Sequence, residues 1–137
     1  MSGLFKSKKK LARAKILVVD DDADLVSIIQ CRLKWCRCEA VAAADGREGL
    51  EKAASERPDL ILLDTDMPVM NGHEMLERLR KQPELKDIPV IMLTALCEPQ
   101  DIAAASSYGI VDYVTKPFDF TELMEKITNA LGHKKFE

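Results

Sequence analysis

Asp20, Asp21, Asp64, Thr94 and Lys116 are the residues of this chain best suited to phosphoryl or metal chemistry, and each stands at the end of a short apolar run. Residues 16–19 lead into Asp20 and Asp21, 60–63 into Asp64 and 90–93 into Thr94, while a weaker strand signal at 113–115 ends at Lys116. Three carboxylates gathered without compensation repel one another; two at ~4 Å interact unfavourably by about 4 kcal/mol at an effective dielectric near 20. Such a cluster needs a cation or a shared proton. Mg²⁺ suits it, because that ion accepts one or two carboxylates, keeps several waters and takes a phosphate oxygen readily. One carboxylate could then act as a nucleophile and form an aspartyl phosphate. Asp64, alone at the end of the central apolar run, is the candidate. Lys116 would place a point charge on the phosphoryl oxygens and Thr94 would donate a hydrogen bond to one of them.

These residues can meet only if the elements before them lie side by side. Apolar runs at 16–19, 40–42, 60–63, 90–93 and 111–114 alternate with longer amphipathic segments, the pattern of βαβ units around a parallel sheet. Residues 60–63 are apolar at every position, as in strands covered by helices on both faces. Leu25, Ile28, Ile29 and Leu33 recur at helical spacing, as do Leu123, Ile127, Ala130 and Leu131. Further helices are predicted at about 46–56, 72–81 and 98–108, with Gly109 past the end of the last of these. Asp119 and Glu122 resemble a capping box, and Gly132 is placed to end the final helix. The expected architecture is a single doubly wound α/β domain of five strands and five helices. In an open parallel sheet the strand ends that carry the polar residues face one crevice.

With 137 residues and 47% hydrophobic content, the chain has room for one domain and one core. The expected layout is a basic tail at 1–13, the domain at 14–132 and a short tail at 133–137. The net charge of −3 argues against a general nucleic-acid binder, although Lys6, Lys8, Lys9, Lys10, Arg13 and Lys15 cluster at the start. That segment reads as a solvated tail, with only Phe5 as an aromatic neighbour. No apolar stretch approaches the ~20 residues of a membrane span and no signal-peptide centre is visible, so a cytoplasmic protein is expected. Cys31, Cys36, Cys38 and Cys97 contain no C-x-x-C spacing and lie far from either histidine. Reduced, mostly buried thiols are expected there.

Four blocks carry a resemblance to a known family: residues 16–22 (ILVVDDD), 58–72 (PDLILLDTDMPVMNG), 89–95 (PVIMLTA) and 112–118 (DYVTKPF). Together they resemble the receiver domains of response regulators in bacterial two-component signalling, over about residues 14–131. The resemblance implies a flavodoxin-like sheet in the order 2-1-3-4-5. It further implies that Asp64 accepts a phosphoryl group from a histidine kinase or phosphotransfer protein, with Mg²⁺ held by Asp20, Asp21, Asp64 and the backbone carbonyl of Asp66. Thr94 and Tyr113 match the family's switch pair and Lys116 its lysine, whose bond to Pro117 is usually cis. Asp66 and Leu96 occupy positions that tune phosphate lifetime. Asp22 fits a commonly acidic position with no ligand role.

A dianion on Asp64 would give the Thr94 hydroxyl a new partner, and the space it vacates could take the Tyr113 ring. The output would be a remodelled face made by the predicted fourth helix, the fifth strand and the final helix. Arg37 and Cys38 stand where the family often has a glycine and an aromatic, which makes the end of the first helix atypical. The expected function is a stand-alone receiver, not an enzyme beyond its own phosphotransfer and autodephosphorylation. It would signal to a protein target as a monomer or phosphorylation-linked dimer, without direct DNA binding or a membrane span.

Three other readings of these residues compete with it. Asp64-Thr65-Asp66 mimics the D-x-D of haloacid-dehalogenase-like hydrolases, but that motif closes the first strand of a larger fold, and here it closes the third. Asp20, Asp22 and Asp24 have the spacing of a calcium loop, yet Leu25 and Cys31 replace its turn glycine and bidentate glutamate. A receiver-like module that binds partners without phosphorylation would be expected to lack the acceptor, an acidic partner or the lysine, and all are present.

Overall fold

The computed structural model describes residues 14–95 and 107–135. Within them, five strands form one parallel sheet: β1 (Lys15–Val19), β2 (Glu39–Ala43), β3 (Leu60–Asp64), β4 (Val90–Thr94) and β5 (Asp112–Thr115). Four helices are described: α1 (Ala23–Trp35), α2 (Gly46–Glu56), α3 (Gly72–Lys81) and α4 (Phe120–Lys135). The strand order is β2-β1-β3-β4-β5, the expected doubly wound topology. The sequence-predicted helix at 98–108 falls mostly outside the described residues; its last two positions, Ser107 and Tyr108, lie in a turn, and Gly109 takes a φ of 75°.

Alternation along each strand builds two apolar layers. Ile16, Val18, Leu60, Leu62, Ile91, Leu93 and Val114 pack against Val26, Ile29 and Leu33 of α1 and Leu123, Ile127 and Leu131 of α4. On the other face, Leu17, Val19, Ile61, Leu63, Val90 and Met92 meet Ala53 of α2 and Met75, Leu76 and Leu79 of α3. Both faces are covered, which explains why β3 and β4 are buried at every position. The register sets Val19 beside Leu63, Asp64 beside Leu93 and Thr94 beside Thr115, so the polar strand ends stand in a row.

Local chemistry explains where the helices begin. Asp22, Asp45 and Asn71 each sit at an N-cap in extended conformation and accept a hydrogen bond from the backbone three residues on, at 3.1, 2.9 and 2.9 Å. Asp119 caps α4 similarly, accepting from the Thr121 N–H at 2.8 Å. At the other end of the sheet the Arg80 guanidinium donates to the carbonyls of Lys86, Ile88, Tyr108 and Gly109, which fastens the approaches to β4 and β5.

Three expectations need correction. The final helix does not stop at Gly132 but continues to Lys135. A helical glycine costs only about 1 kcal/mol against alanine, and no proline follows to force an end. Ile28, read as part of an apolar helix face, is 47% exposed, because the layer against the sheet is closed by Val26, Ile29 and Leu33. The described cysteines are free but not mostly buried: Cys31 is exposed, Cys36 half-buried and Cys38 buried, since the first lies on the outer face of α1 and only Cys38 enters the core. Burial pushes the Cys38 thiol up to about 12, with Cys36 and Asp59 adding to the effect, so it stays protonated as a core side chain. Cys97 lies outside the described residues.

Candidate functional site

The row of strand ends converges as the spacing predicts. Asp20 and Asp21 follow β1, Asp64 ends β3, Thr94 ends β4 and Lys116 follows β5. Asp20, Asp21 and Asp64 each present a carboxylate oxygen, and these oxygens all lie within 4.8 Å of one another. Asp20 and Asp64 are buried, at 2% and 4% exposure, and Asp21 is open to solvent. The cluster therefore has two fixed anionic walls and one accessible ligand. Its hard oxygen donors and open side fit a divalent cation such as Mg²⁺.

Lys116 spans the two buried carboxylates. Its Nζ lies 2.7 Å from Asp20 Oδ2 and 3.3 Å from Asp64 Oδ1. Its backbone is anchored as well, the N–H donating to the Thr94 carbonyl at 2.7 Å, and the Lys116–Pro117 peptide is cis as expected. Burial works against the Lys116 charge, yet the hydrogen bond to Asp20 and the charges of Asp20 and Asp64 outweigh it and hold the ammonium above its ordinary pKa. Asp64 responds in the other sense. Burial, reinforced by the charge of Asp20, pushes its carboxyl up to about 6, while Lys116 and the Asp66 N–H hold it back.

Backbone around the carboxylates completes the geometry. The Asp22 N–H donates to Asp20 Oδ1 at 2.9 Å and the Asp66 N–H to Asp64 Oδ1 at 3.4 Å. Asp22 thus steadies Asp20 while capping α1, a structural duty that leaves its side chain outside the carboxylate cluster. A β-carbon at Gly72 would run into the Asp64 carbonyl, so glycine is what lets the start of α3 close over the end of β3. The loop between them is tied to α2 by a hydrogen bond from the Gly46 N–H to the Met70 carbonyl at 3.1 Å.

Thr94 is 5% exposed, and its hydroxyl accepts a hydrogen bond from Thr65 Oγ1 at 3.2 Å. Tyr113 stands on β5 with 37% exposure, its ring 5.5 Å from the Lys126 ammonium. Asp66 is exposed next to the cluster. Leu96 lies outside the described residues. Sequence reasoning assigned nothing to Thr65, whose hydroxyl contact becomes visible only once β3 and β4 are in register; a hydroxyl residue directly after a strand-end acid is too common to have signalled it.

Comparison with known proteins agrees with this geometry. Residues 16–128 match the family model described as response regulator receiver domain. The chain is 41% identical over 122 residues to a probable transcriptional regulator ycf27 of Cyanophora paradoxa, covering 89% of this chain and 50% of that protein. It is 40% identical over 117 residues to the alkaline phosphatase synthesis transcriptional regulatory protein PhoP of Bacillus subtilis (strain 168), covering 85% and 48%. The chain thus spans about half the length of the curated relatives it matches. Among solved structures, chemotaxis protein CheY4 of Vibrio cholerae superposes with a TM-score of 0.82 at 34% identity, covering 87% of this chain and 99% of that one.

Proposed function

The chain belongs to the family of response regulator receiver domains, and from that premise we propose that Asp64 accepts a phosphoryl group from a phosphohistidine and that Thr94 and Tyr113 convey the change to a protein partner. The observation that carries this reading is the meeting of Asp20, Asp21 and Asp64 within 4.8 Å with Lys116 bridging the two buried members. The donor is a sensor histidine kinase or a phosphotransfer protein. An Asp64 carboxylate oxygen attacks phosphorus as the bond to the imidazole nitrogen breaks, leaving an aspartyl phosphate and a free histidine.

Each group of the site then has a task. Asp20, Asp21, Asp64 and the Asp66 carbonyl would hold Mg²⁺, which would supply positive charge to offset that of the phosphoryl oxygens. Lys116, already held in its charged form, pairs with a phosphoryl oxygen once Asp64 has lost its own charge to the acyl-phosphate bond. The Thr94 hydroxyl turns toward the same group, and the Tyr113 ring follows into the space released. The chain performs no further catalysis beyond this phosphotransfer and hydrolysis of its own aspartyl phosphate, whose rate Asp66 and Leu96 tune. The output is delivered by contact through the face bearing β5 and α4. Among the described residues no helix is long and apolar enough to cross a membrane, and we place the protein with its kinase partner's phosphohistidine in the cytoplasm.

The test is intact-mass spectrometry after incubation with acetyl phosphate, with and without Mg²⁺, on the wild type and Asp64→Asn. One Mg²⁺-dependent phosphoryl adduct, absent from the variant, is expected. Persistent labelling of Asp64→Asn would move the acceptor elsewhere. No adduct and no binding of beryllofluoride would leave a partner-binding module without phosphorylation.

A further inference from the structure

Thr65 directly follows the acceptor, and its side chain touches the switch residue instead of the carboxylate cluster. Its backbone is locked on both sides, the N–H donating to the Leu93 carbonyl at 3.0 Å and the carbonyl accepting from the Gly72 N–H at 3.2 Å. From that fixed position its hydroxyl donates to Thr94 Oγ1 at 3.2 Å. Leu63 and Met92 belong to the layer that faces α2 and α3, so strand alternation sends Thr65 and Thr94 to that side. Asp64 continues the opposite row, Leu60 and Leu62, which faces α1 and α4. The hydroxyl pair therefore holds Thr94 across the sheet edge from the acceptor carboxylate. Thr94 is buried and Thr65 half-buried, which limits the water available to replace the bond. Because Thr94 and Asp64 are turned to opposite faces of the sheet, bringing the Thr94 hydroxyl to a phosphoryl group on Asp64 requires a change of χ1 well that carries it away from Thr65.

We propose that Thr65 is a positioning residue that latches Thr94 in its resting orientation, so that the phosphoryl group must displace the Thr65 hydroxyl to engage the switch. This rests on the reading of Asp64 and Thr94 given above. The latch sets the resting bias of the switch from a residue next to the acceptor in sequence but on the other face of the sheet.

The experiment is a titration of beryllofluoride at saturating Mg²⁺, followed by the NMR signals of Tyr113, on wild type, Thr65→Val, Thr65→Ala, Thr65→Ser, Thr94→Ala and the double variant Thr65→Val with Thr94→Ala. Loss of one ordinary hydrogen bond from the resting state should tighten the apparent affinity of Thr65→Val and Thr65→Ala by about fivefold. Thr65→Ser, which keeps the hydroxyl, should stay within about twofold of wild type. In a Thr94→Ala background Thr65→Val should change nothing. Unchanged or weaker binding by Thr65→Val, a serine variant that behaves like valine, or tightening that survives without Thr94 would each overturn the latch. Should wild type bind no beryllofluoride at all, the acceptor reading fails and the latch with it; binding by wild type without the valine effect removes only the latch.

Discussion

At Asp64 the fold holds an anion that burial and the neighbouring Asp20 disfavour and that Lys116 only partly compensates. A proton, a bound cation or the bond to phosphorus proposed above would each relieve that imbalance. It also has a measurable consequence for stability. The folded-state pKa of about 6 lies above the ordinary value of 3.8, so between those pH values the native state holds a proton that the unfolded chain has released. Stability then falls as pH rises through this window, because the native state binds more protons than the unfolded one. Asp64→Asn removes the dependence. In metal-free buffer the variant should exceed wild type at pH 7 by on the order of 2 kcal/mol, and the gap should close below about pH 4. Urea unfolding of both proteins across that range, with a chelator present, checks it; a gap independent of pH would show that Asp64 is not destabilised by its charge.

At the scale of single elements, the end of α1 carries a left-handed turn with an unexpected residue. The Cys38 N–H donates back to the Leu33 carbonyl at 3.0 Å and the Arg37 N–H to Lys34 at 2.9 Å, with Arg37 at a φ of 64°. Glycine usually supplies this conformation because a β-carbon makes it costly. The sequence departure at Arg37 is thus accommodated by strain in one residue, not by a different helix end. Arg37→Gly should raise stability by about 0.5–1 kcal/mol, the relief being offset in part by the greater freedom of glycine in the unfolded chain. A shift of the urea midpoint measures it. Acetyl phosphate labelling should be unaffected, since α1 ends at the opposite edge of the sheet from its Asp22 cap beside the site. A stable but unlabelled variant would show coupling along α1 that the packing does not explain.

For the whole molecule, a rigid two-faced sheet carries a charged crevice along one edge. Any ligand that binds the folded crevice and ignores the unfolded chain must stabilise the entire domain. Mg²⁺ at 100 times its dissociation constant should add about 2.7 kcal/mol, which in a domain of this size raises Tm by about 8–10 °C. The rise should shrink sharply in Asp20→Asn and Asp64→Asn, which each lose one of the three carboxylates. Differential scanning calorimetry at stepped Mg²⁺ concentrations decides it, and an equal rise in all three proteins would place the ion elsewhere.

The chain's own letters determined the alternation of apolar runs and amphipathic segments, the bounds of α2 and α3, and which residues stand at strand ends. These follow from periods and caps that act between near neighbours: Asp45 and Asn71 each bond only three positions ahead. The parallel-sheet rule then brings Asp20, Asp21, Asp64, Thr94 and Lys116 to one edge without any side-chain detail. Which of them touch was decided by tertiary structure alone. Lys116 reaches Asp20 across 96 positions and Thr65 reaches Thr94 across 29, and both contacts depend on strand register and on which face each residue is turned to. The raised pKa of Asp64 and the outward turn of Ile28 have the same origin, because burial belongs to the packed layers and not to any segment read by itself.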